Sequence, residues 1–220
     1  MSDPLRVGVL ASGNGSNLQA LIDACRKGEV PAVVVVVVSN VPEAYALVRA
    51  RAAGIPAVLV DHRAHASAQS FESAVRECLV KHAVELVCLA GFLRILSPVF
   101  VAEFRGRILN IHPALLPRFG GKGMYGDRVH RAVLASGARQ SGCTVHFVTE
   151  IPDGGPIVAQ ATVPVAEGDT PAMLAARVAR AEHRLYPEVV RLYAERRLRL
   201  DEHGVLILPA TRPGLDTEAS

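Results

Sequence analysis

Asn110-Ile111-His112-Pro113 is the stretch whose residue types and spacing most directly suit a reaction. Residues two apart on a strand share a face, so this amide and this imidazole are aimed together, and Pro113 then redirects the chain. Such a pair suits acyl transfer from a nitrogen donor to an amine. The attack builds an oxyanion, to which an Asn amide or a protonated His donates, and one such donor is worth about 3 kcal/mol. The leaving nitrogen needs a proton, which a His titrating near neutrality relays. A carboxylate beside the ring would raise its pKa and hold its orientation. Asp153, in the turn Asp153-Gly154-Gly155, is the residue of that kind, and Gly154 leaves room for a close approach. Plainer roles fit the same residues: a hydrogen-bonded structural His at a strand end, and an Asp-Gly-Gly that is only a turn. Spacing alone does not bring Asp153 to His112.

A second motif is Ser12-Gly13-Asn14-Gly15-Ser16-Asn17, a Gly-rich turn between an apolar run and an amphipathic one. With a helix beginning near Ser16, free amides and the positive end of the helix dipole face the turn, a site for an anion and most simply a phosphate. Many α/β proteins use such a turn only for packing. A dinucleotide is disfavoured, because Leu18 stands where the third Gly of GxGxxG belongs and Ser39-Asn40 replaces the acidic residue that would hold a ribose. No Gly-Lys-Ser/Thr follows, so the turn is not a Walker loop. A small phosphate monoester fits better. No Ser, Cys or Lys is arranged as a covalent nucleophile, and metal-ligand spacings are absent.

The elements that must position these groups follow from periodicity. Residues 5–11 read as a buried strand, followed by a helix with Leu18, Leu21, Ile22 and Cys25 on one face. Strand 31–38 contains six consecutive valines, expected in a central parallel strand covered on both faces. Helices 43–53 and 68–82 alternate with strands 57–60 and 86–90, then helix 98–104 and strand 108–111. Residues 113–126 form a Pro- and Gly-rich loop, 127–136 a helix, and 143–149 with 157–165 a hairpin. Helix 171–196 is the longest, with Pro187 starting or kinking its last section. A short strand is expected at 205–208, and a flexible tail at 210–220. The fold class is α/β: a doubly wound, mostly parallel sheet with right-handed crossovers, Rossmann-like in its N-terminal half, with a hairpin and long helix in its C-terminal half. Residues 1–209 are expected to form one domain with two lobes, about 1–100 and 101–209.

Composition bounds the function classes. The chain has 220 residues, half of them hydrophobic and only 5% aromatic, so its core is built mainly of Val, Leu, Ile and Ala. The net charge of +3 is mild, and the basic stretch 191–199 reads as a solvated helix side, which argues against nucleic acid. Cys25, Cys78, Cys88 and Cys143 form no CxxC pair, pointing to a reducing compartment. The valine run is too short to span a bilayer, and no signal-peptide pattern precedes the first strand. A soluble, cytoplasmic protein with no membrane partner and no metal is expected, as a monomer or homodimer.

Ser12-Gly13-Asn14-Gly15-Ser16-Asn17-Leu18-Gln19, Ala90-Gly91-Phe92-Leu93-Arg94-Ile95-Leu96-Ser97, Asn110-Ile111-His112-Pro113-Ala114-Leu115-Leu116-Pro117 and Asp153-Gly154-Gly155 together closely resemble the phosphoribosylglycinamide formyltransferases, over residues 5–200 or so. The His and Asp motifs are shared with other formyl-folate enzymes, whereas the Ser-Gly-Asn-Gly-Ser-Asn loop is specific to this family. The resemblance implies the formyltransferase fold and transfer of formyl from the co-substrate 10-formyltetrahydrofolate to glycinamide ribonucleotide in de novo purine synthesis. By the same resemblance, Asn110, His112 and Asp153 are the catalytic set, and Gly15, Ser16 and Asn17 cradle the substrate phosphate. Glu182 holds its ribose. Leu93, Arg94, Ile95, Leu96, Asn110, Thr149, Glu150, Ile151, Pro152 and Asp153 wall the folate cleft. Formyl-folate hydrolases carry an N-terminal regulatory domain, for which a strand starting at Leu5 leaves no room, and no basic C-terminal domain for transfer RNA is expected. Some features depart from the family. Ala66-Ser67-Ala68-Gln69 lacks the Arg that meets the folate tail in many relatives, leaving that task to Arg63 or another group. The segment 119–126 is longer and contributes Lys122, and Ala179 stands where some relatives have a phosphate-facing Lys, beside Arg180.

Overall fold

Apolar runs of four to eight residues, separated by amphipathic stretches, build a sheet that is covered on both faces. The computed structural model describes residues 3–201 and 204–209, so the expected tail at 210–220 lies outside the described residues. In chain order the elements are β1 (Leu5–Leu10), α1 (Ser16–Arg26), β2 (Ala32–Ser39), α2 (Tyr45–Ala52), β3 (Ala57–Leu59), α3 (Ala68–Lys81), β4 (Leu86–Leu89), α4 (Pro98–Glu103) and β5 (Ile108–His112). Then come α5 (Asp127–Ala135), β6 (Gln140–Phe147), β7 (Ile157–Pro164), α6 (Pro171–Ala194), β8 (Leu198–Asp201) and β9 (Gly204–Ile207). The first seven strands form one sheet in the order β3-β2-β1-β4-β5-β6-β7. Strands β1 to β5 are parallel, and β6 and β7 are antiparallel additions. The winding runs outward to β3 and then returns past β1 to β4. That reversal opens a crevice at the carboxyl ends of the central strands.

One face of the sheet is covered by α1 (Leu18, Leu21, Ile22), Val133 of α5 and the apolar stripe of α6 from Leu174 to Val190. The other is covered by Phe71, Val75 and Leu79 of α3 and by Phe100 and Val101 of α4. Serine and threonine set the helix starts: Ser67 caps α3, Ser97 caps α4 and Thr170 caps α6, the last two followed by Pro at the first helical position. Tyr186 is wholly buried, and its hydroxyl lies 3.1 Å from the Leu89 carbonyl and 2.9 Å from that of Leu109, tying α6 to β4 and β5.

Three expectations need correction. The valine strand β2 is not central, since it lies next to the edge strand β3, but it is covered on both faces as expected, with Val34 and Val37 in one core cluster and Val36 and Val38 in the other; Val33, at its start, is 38% exposed. Of the two roles expected for Pro187, starting a new section is ruled out, because α6 is one unbroken helix through it. Proline forfeits one helical hydrogen bond there, but Leu185, Tyr186, Val189 and Val190 on either side are buried and hold the helix in place. Strand β6 begins at Gln140, because Gln140, Ser141 and Gly142 pair with Pro164, Val163 and Thr162, and it ends at Phe147, before Val148 and Thr149. The pairing of β8 with β9 supplies a partner for the expected C-terminal strand; β8 itself, in a basic stretch, was not anticipated.

Candidate active site

Strand β5 places Asn110 and His112 on one face, and its antiparallel register with β6 sets Asn110 opposite His146 and His112 opposite Thr144. The Asn110 Nδ2 lies 3.0 Å from His146 Nε2. After β6, the chain turns through Ile151-Pro152-Asp153-Gly154 and returns Asp153 beneath both rings. Asp153 adopts φ 54°, and a Cβ at Gly155 would sit 1.8 Å from the Phe147 carbonyl oxygen, so this turn requires glycine there. One Asp153 oxygen (Oδ2) is 3.6 Å from His112 Nδ1, and the other (Oδ1) is 3.6 Å from His146 Nε2. These are ion-pair distances, longer than hydrogen bonds. The Gly121 amide donates to Oδ2 at 2.9 Å. His146 was not singled out from the sequence. A polar residue two places after Thr144 was the only local sign, and its partnership with Asn110 depends on register.

Both imidazoles are buried, and each has one nitrogen committed to the backbone. His112 Nε2 is 2.8 Å from the Phe119 carbonyl, and His146 Nδ1 is 3.0 Å from the Phe147 carbonyl. A carbonyl only accepts, so those nitrogens carry hydrogens in the neutral rings. Burial pushes the His112 pKa down, and although Asp153 and the Phe119 carbonyl push it up, it stays below the ordinary value of 6.5. The expectation that Asp153 raises this pKa therefore describes one contribution, outweighed by desolvation. For Asp153, burial acts upward, but His146, His112 and the Gly121 amide together hold the carboxyl below its usual range.

Asn110, His112, His146 and Asp153 open onto a cavity of about 650 Å³. Gly13 to Asn17 form one wall. Gly15 has φ 73° and caps α1, and a Cβ on it would lie 2.8 Å from the Ala46 Cβ. No side chain caps α1, so its first amides remain available for an anion. Helix α2 braces this loop: the Ala46 amide donates to the Gly13 carbonyl at 3.1 Å, and Arg49 donates to the Asn14 carbonyl (2.9 Å) and side chain (3.0 Å). Arg49 was likewise not anticipated. Beside the loop, Asn17 Nδ2 donates to the buried Glu182 carboxylate at 3.0 Å, and burial raises the Glu182 pKa against that bond. Ala179 also lines the cavity, while Arg180 points outward and is exposed.

The remaining wall is largely apolar. Leu93, Arg94, Ile95, Leu96, Thr149, Ile151 and Pro152 line it; Glu150 does not, being turned outward at the bend after β6. Leu93, Ile95 and Ile151 are more than half exposed, an unusual concentration of bare apolar surface. Two polar ties hold the segment from Gly91 to Ser97. Ser12 accepts from the Leu93 amide at 2.8 Å and donates to the buried Asn40, while Glu72 accepts from the Ser97 amide at 2.7 Å and from its hydroxyl. Arg94 and Lys122 line the cavity, and among the described residues their side chains have no hydrogen-bond or ion-pair partner. Arg63, by contrast, lies outside it and is engaged twice by Asp61.

Residues 5–190 match the Formyl transferase family. The chain belongs to that family. Phosphoribosylglycinamide formyltransferase of Escherichia coli is 43% identical over 200 residues, covering 91% of this chain and 92% of that one. The trifunctional purine biosynthetic protein adenosine-3 of Bos taurus is 45% identical over 199 residues, or 90% of this chain, which spans only 19% of its length. The crystal structure of glycinamide ribonucleotide transformylase 1 from Symbiobacterium toebii superimposes with a TM-score of 0.89 at 47% identity, covering 95% of this chain and 96% of that one. This formyl transferase thus carries its polar cluster on β5, β6 and the turn after β6, facing a single cavity. Among the described residues, no helix is long and apolar enough to cross a membrane, and no cluster of three His, Cys, Asp or Glu side chains is arranged for a metal ion.

Proposed function

We propose that this formyl transferase moves the formyl group of 10-formyltetrahydrofolate to the amine of glycinamide ribonucleotide, giving formylglycinamide ribonucleotide and tetrahydrofolate, in de novo purine synthesis in the cytoplasm. The observation that carries this is the one cavity that takes in an uncapped helix start, an apolar wall and the Asn110/His112/Asp153 cluster. Its volume suits two small ligands lying end to end. The α1 amides at Gly15, Ser16 and Asn17 hold the phosphate, Glu182 and Asn17 face the ribose, and Leu93 to Leu96 with Ile151 and Pro152 cover the folate ring. Residues 1–209 act as one catalytic unit.

In the chemistry we propose, His112 is neutral at rest because burial depresses its pKa, so it begins as a proton acceptor. With Nε2 tied to Phe119, Nδ1 takes the proton of the attacking amine. The Asp153 carboxylate at 3.6 Å then stabilises the imidazolium, which hands the proton to the leaving nitrogen. Asn110 donates to the oxygen as its charge develops. The direct test is spectrophotometric release of tetrahydrofolate with glycinamide ribonucleotide as acceptor. A folded protein that shows no turnover would overturn the proposal.

A second expected result concerns Glu182. Glu182→Gln removes a buried charge yet retains an oxygen for Asn17, so resistance to urea should rise. The weaker acceptor should raise KM for the ribonucleotide about tenfold, with KM for the folate unchanged. Unchanged ribonucleotide KM would remove Glu182 from the substrate site.

A further inference from the structure

Asn110 has an amide whose two ends do opposite things to a developing oxyanion: nitrogen attracts it and oxygen repels it. Which end is presented depends on what holds the amide, and the partner in contact is His146, directly across from it in β6. His146 is 2% exposed, and its Nδ1 sits 3.0 Å from the Phe147 carbonyl oxygen. That carbonyl can only accept, so the neutral ring keeps its hydrogen on Nδ1 and leaves Nε2 as a lone-pair acceptor. Nε2 therefore accepts from Asn110 Nδ2 at 3.0 Å and rejects the flipped amide, which would set oxygen against a lone pair. One N–H of Asn110 is used in this contact, and the other is fixed in direction.

We propose that His146 is a positioning residue for formyl transfer: through its Nδ1–H tautomer it locks the Asn110 amide so that nitrogen, not oxygen, meets the oxyanion. This rests on the formyl-transfer reading above. It separates two histidines that both flank Asp153 at 3.6 Å. His112 moves the proton, and His146 acts through Asn110. Two groups pull the ring hydrogen in opposite directions: the Phe147 carbonyl, at 3.0 Å, holds it on Nδ1, and the Asp153 carboxylate, at 3.6 Å from Nε2, draws it the other way; it is assigned to the shorter contact, which leaves Nε2 to accept from Asn110.

Three variants and one spectrum test it. His146→Met removes the acceptor at similar volume and should lower kcat about 10- to 100-fold, within what one misdirected oxyanion donor costs, with both KM values nearly unchanged. His146→Gln retains an accepting oxygen at similar reach and should recover most of kcat. In an Asn110→Ala background, His146→Met should cost nothing further, because its target is gone. Nitrogen-15 spectra of the unaltered protein should show neutral His146 protonated on Nδ1, a measurement that does not depend on any variant folding. The proposal is overturned by a proton on Nε2 in the neutral ring, by additive losses in the double variant, or by His146→Gln as impaired as His146→Met. Full activity of His146→Met beside an active parent enzyme overturns it alone, whereas a parent protein without turnover overturns the formyl-transfer reading and this proposal with it.

Discussion

His112→Ala should lower kcat about a thousandfold, while both KM values stay within about threefold of the parent. The size follows from the two tasks proposed for it, taking the amine proton and delivering it to the leaving nitrogen. Neither neighbour can replace it: His146 has its free nitrogen engaged by Asn110, and Asp153 is held ionised by the groups around it. The substitution also strands the Phe119 carbonyl, which now accepts from His112 Nε2 at 2.8 Å, so the variant should lose about 1–3 kcal/mol of stability. Steady-state kinetics alongside urea unfolding separate the two effects. A variant that is folded and saturable yet nearly inactive is expected; one that retains a tenth of kcat would move the proton relay elsewhere.

The second large effect is expected for Asp153→Asn, where kcat should fall about a hundredfold or more and phosphate-end binding should persist. The carboxylate raises the His112 pKa against burial, so its removal lets that pKa fall further below 6.5. His112 must be neutral to accept the amine proton, and activity is lost as pH falls through its pKa. The acid limb of the pH–rate profile should therefore shift to lower pH in the variant while its plateau drops. Stability carries the same sign. A histidine with a depressed folded pKa costs the native state as pH falls below its unfolded value of 6.5, and a deeper depression makes that loss larger in the variant. Asp153 itself, depressed in the folded state, contributes stability above about pH 3.8 that is lost as pH falls through its folded pKa, and the variant lacks this contribution. Equal losses of turnover and ribonucleotide affinity, with no movement of the acid limb, would make Asp153 a turn residue.

Much of the site was legible because it rests on local rules. The i, i+2 spacing of Asn110 and His112 required only that residues 108–112 be a strand, which their apolar neighbours dictate. The turn before α1 required only a Gly able to take positive φ before an amphipathic helix, and Gly15 does so at φ 73°. The alternating apolar runs and amphipathic helices were enough for a mostly parallel α/β sheet with an antiparallel hairpin at its end.

What failed to appear in the sequence shares one physical cause. His146 and Arg49 act through partners 36 and 35 residues away, Asn110 and Asn14, and such contacts depend on register and packing. The net direction of the His112 shift has the same cause: the upward pull of the Asp153 carboxylate can be read from residue types, but the desolvation that outweighs it exists only once the chain has closed around the ring. The sequence by itself determined the strand that carries Asn110 and His112, the glycine turn proposed to receive an anion and the residue types proposed for the reaction, since each depends on backbone preference and periodicity within one segment. Only the tertiary structure decided which imidazole meets which oxygen of Asp153, and in which protonation state, because charge and hydrogen-bond energies depend on distances and burial between segments that the chain order leaves far apart.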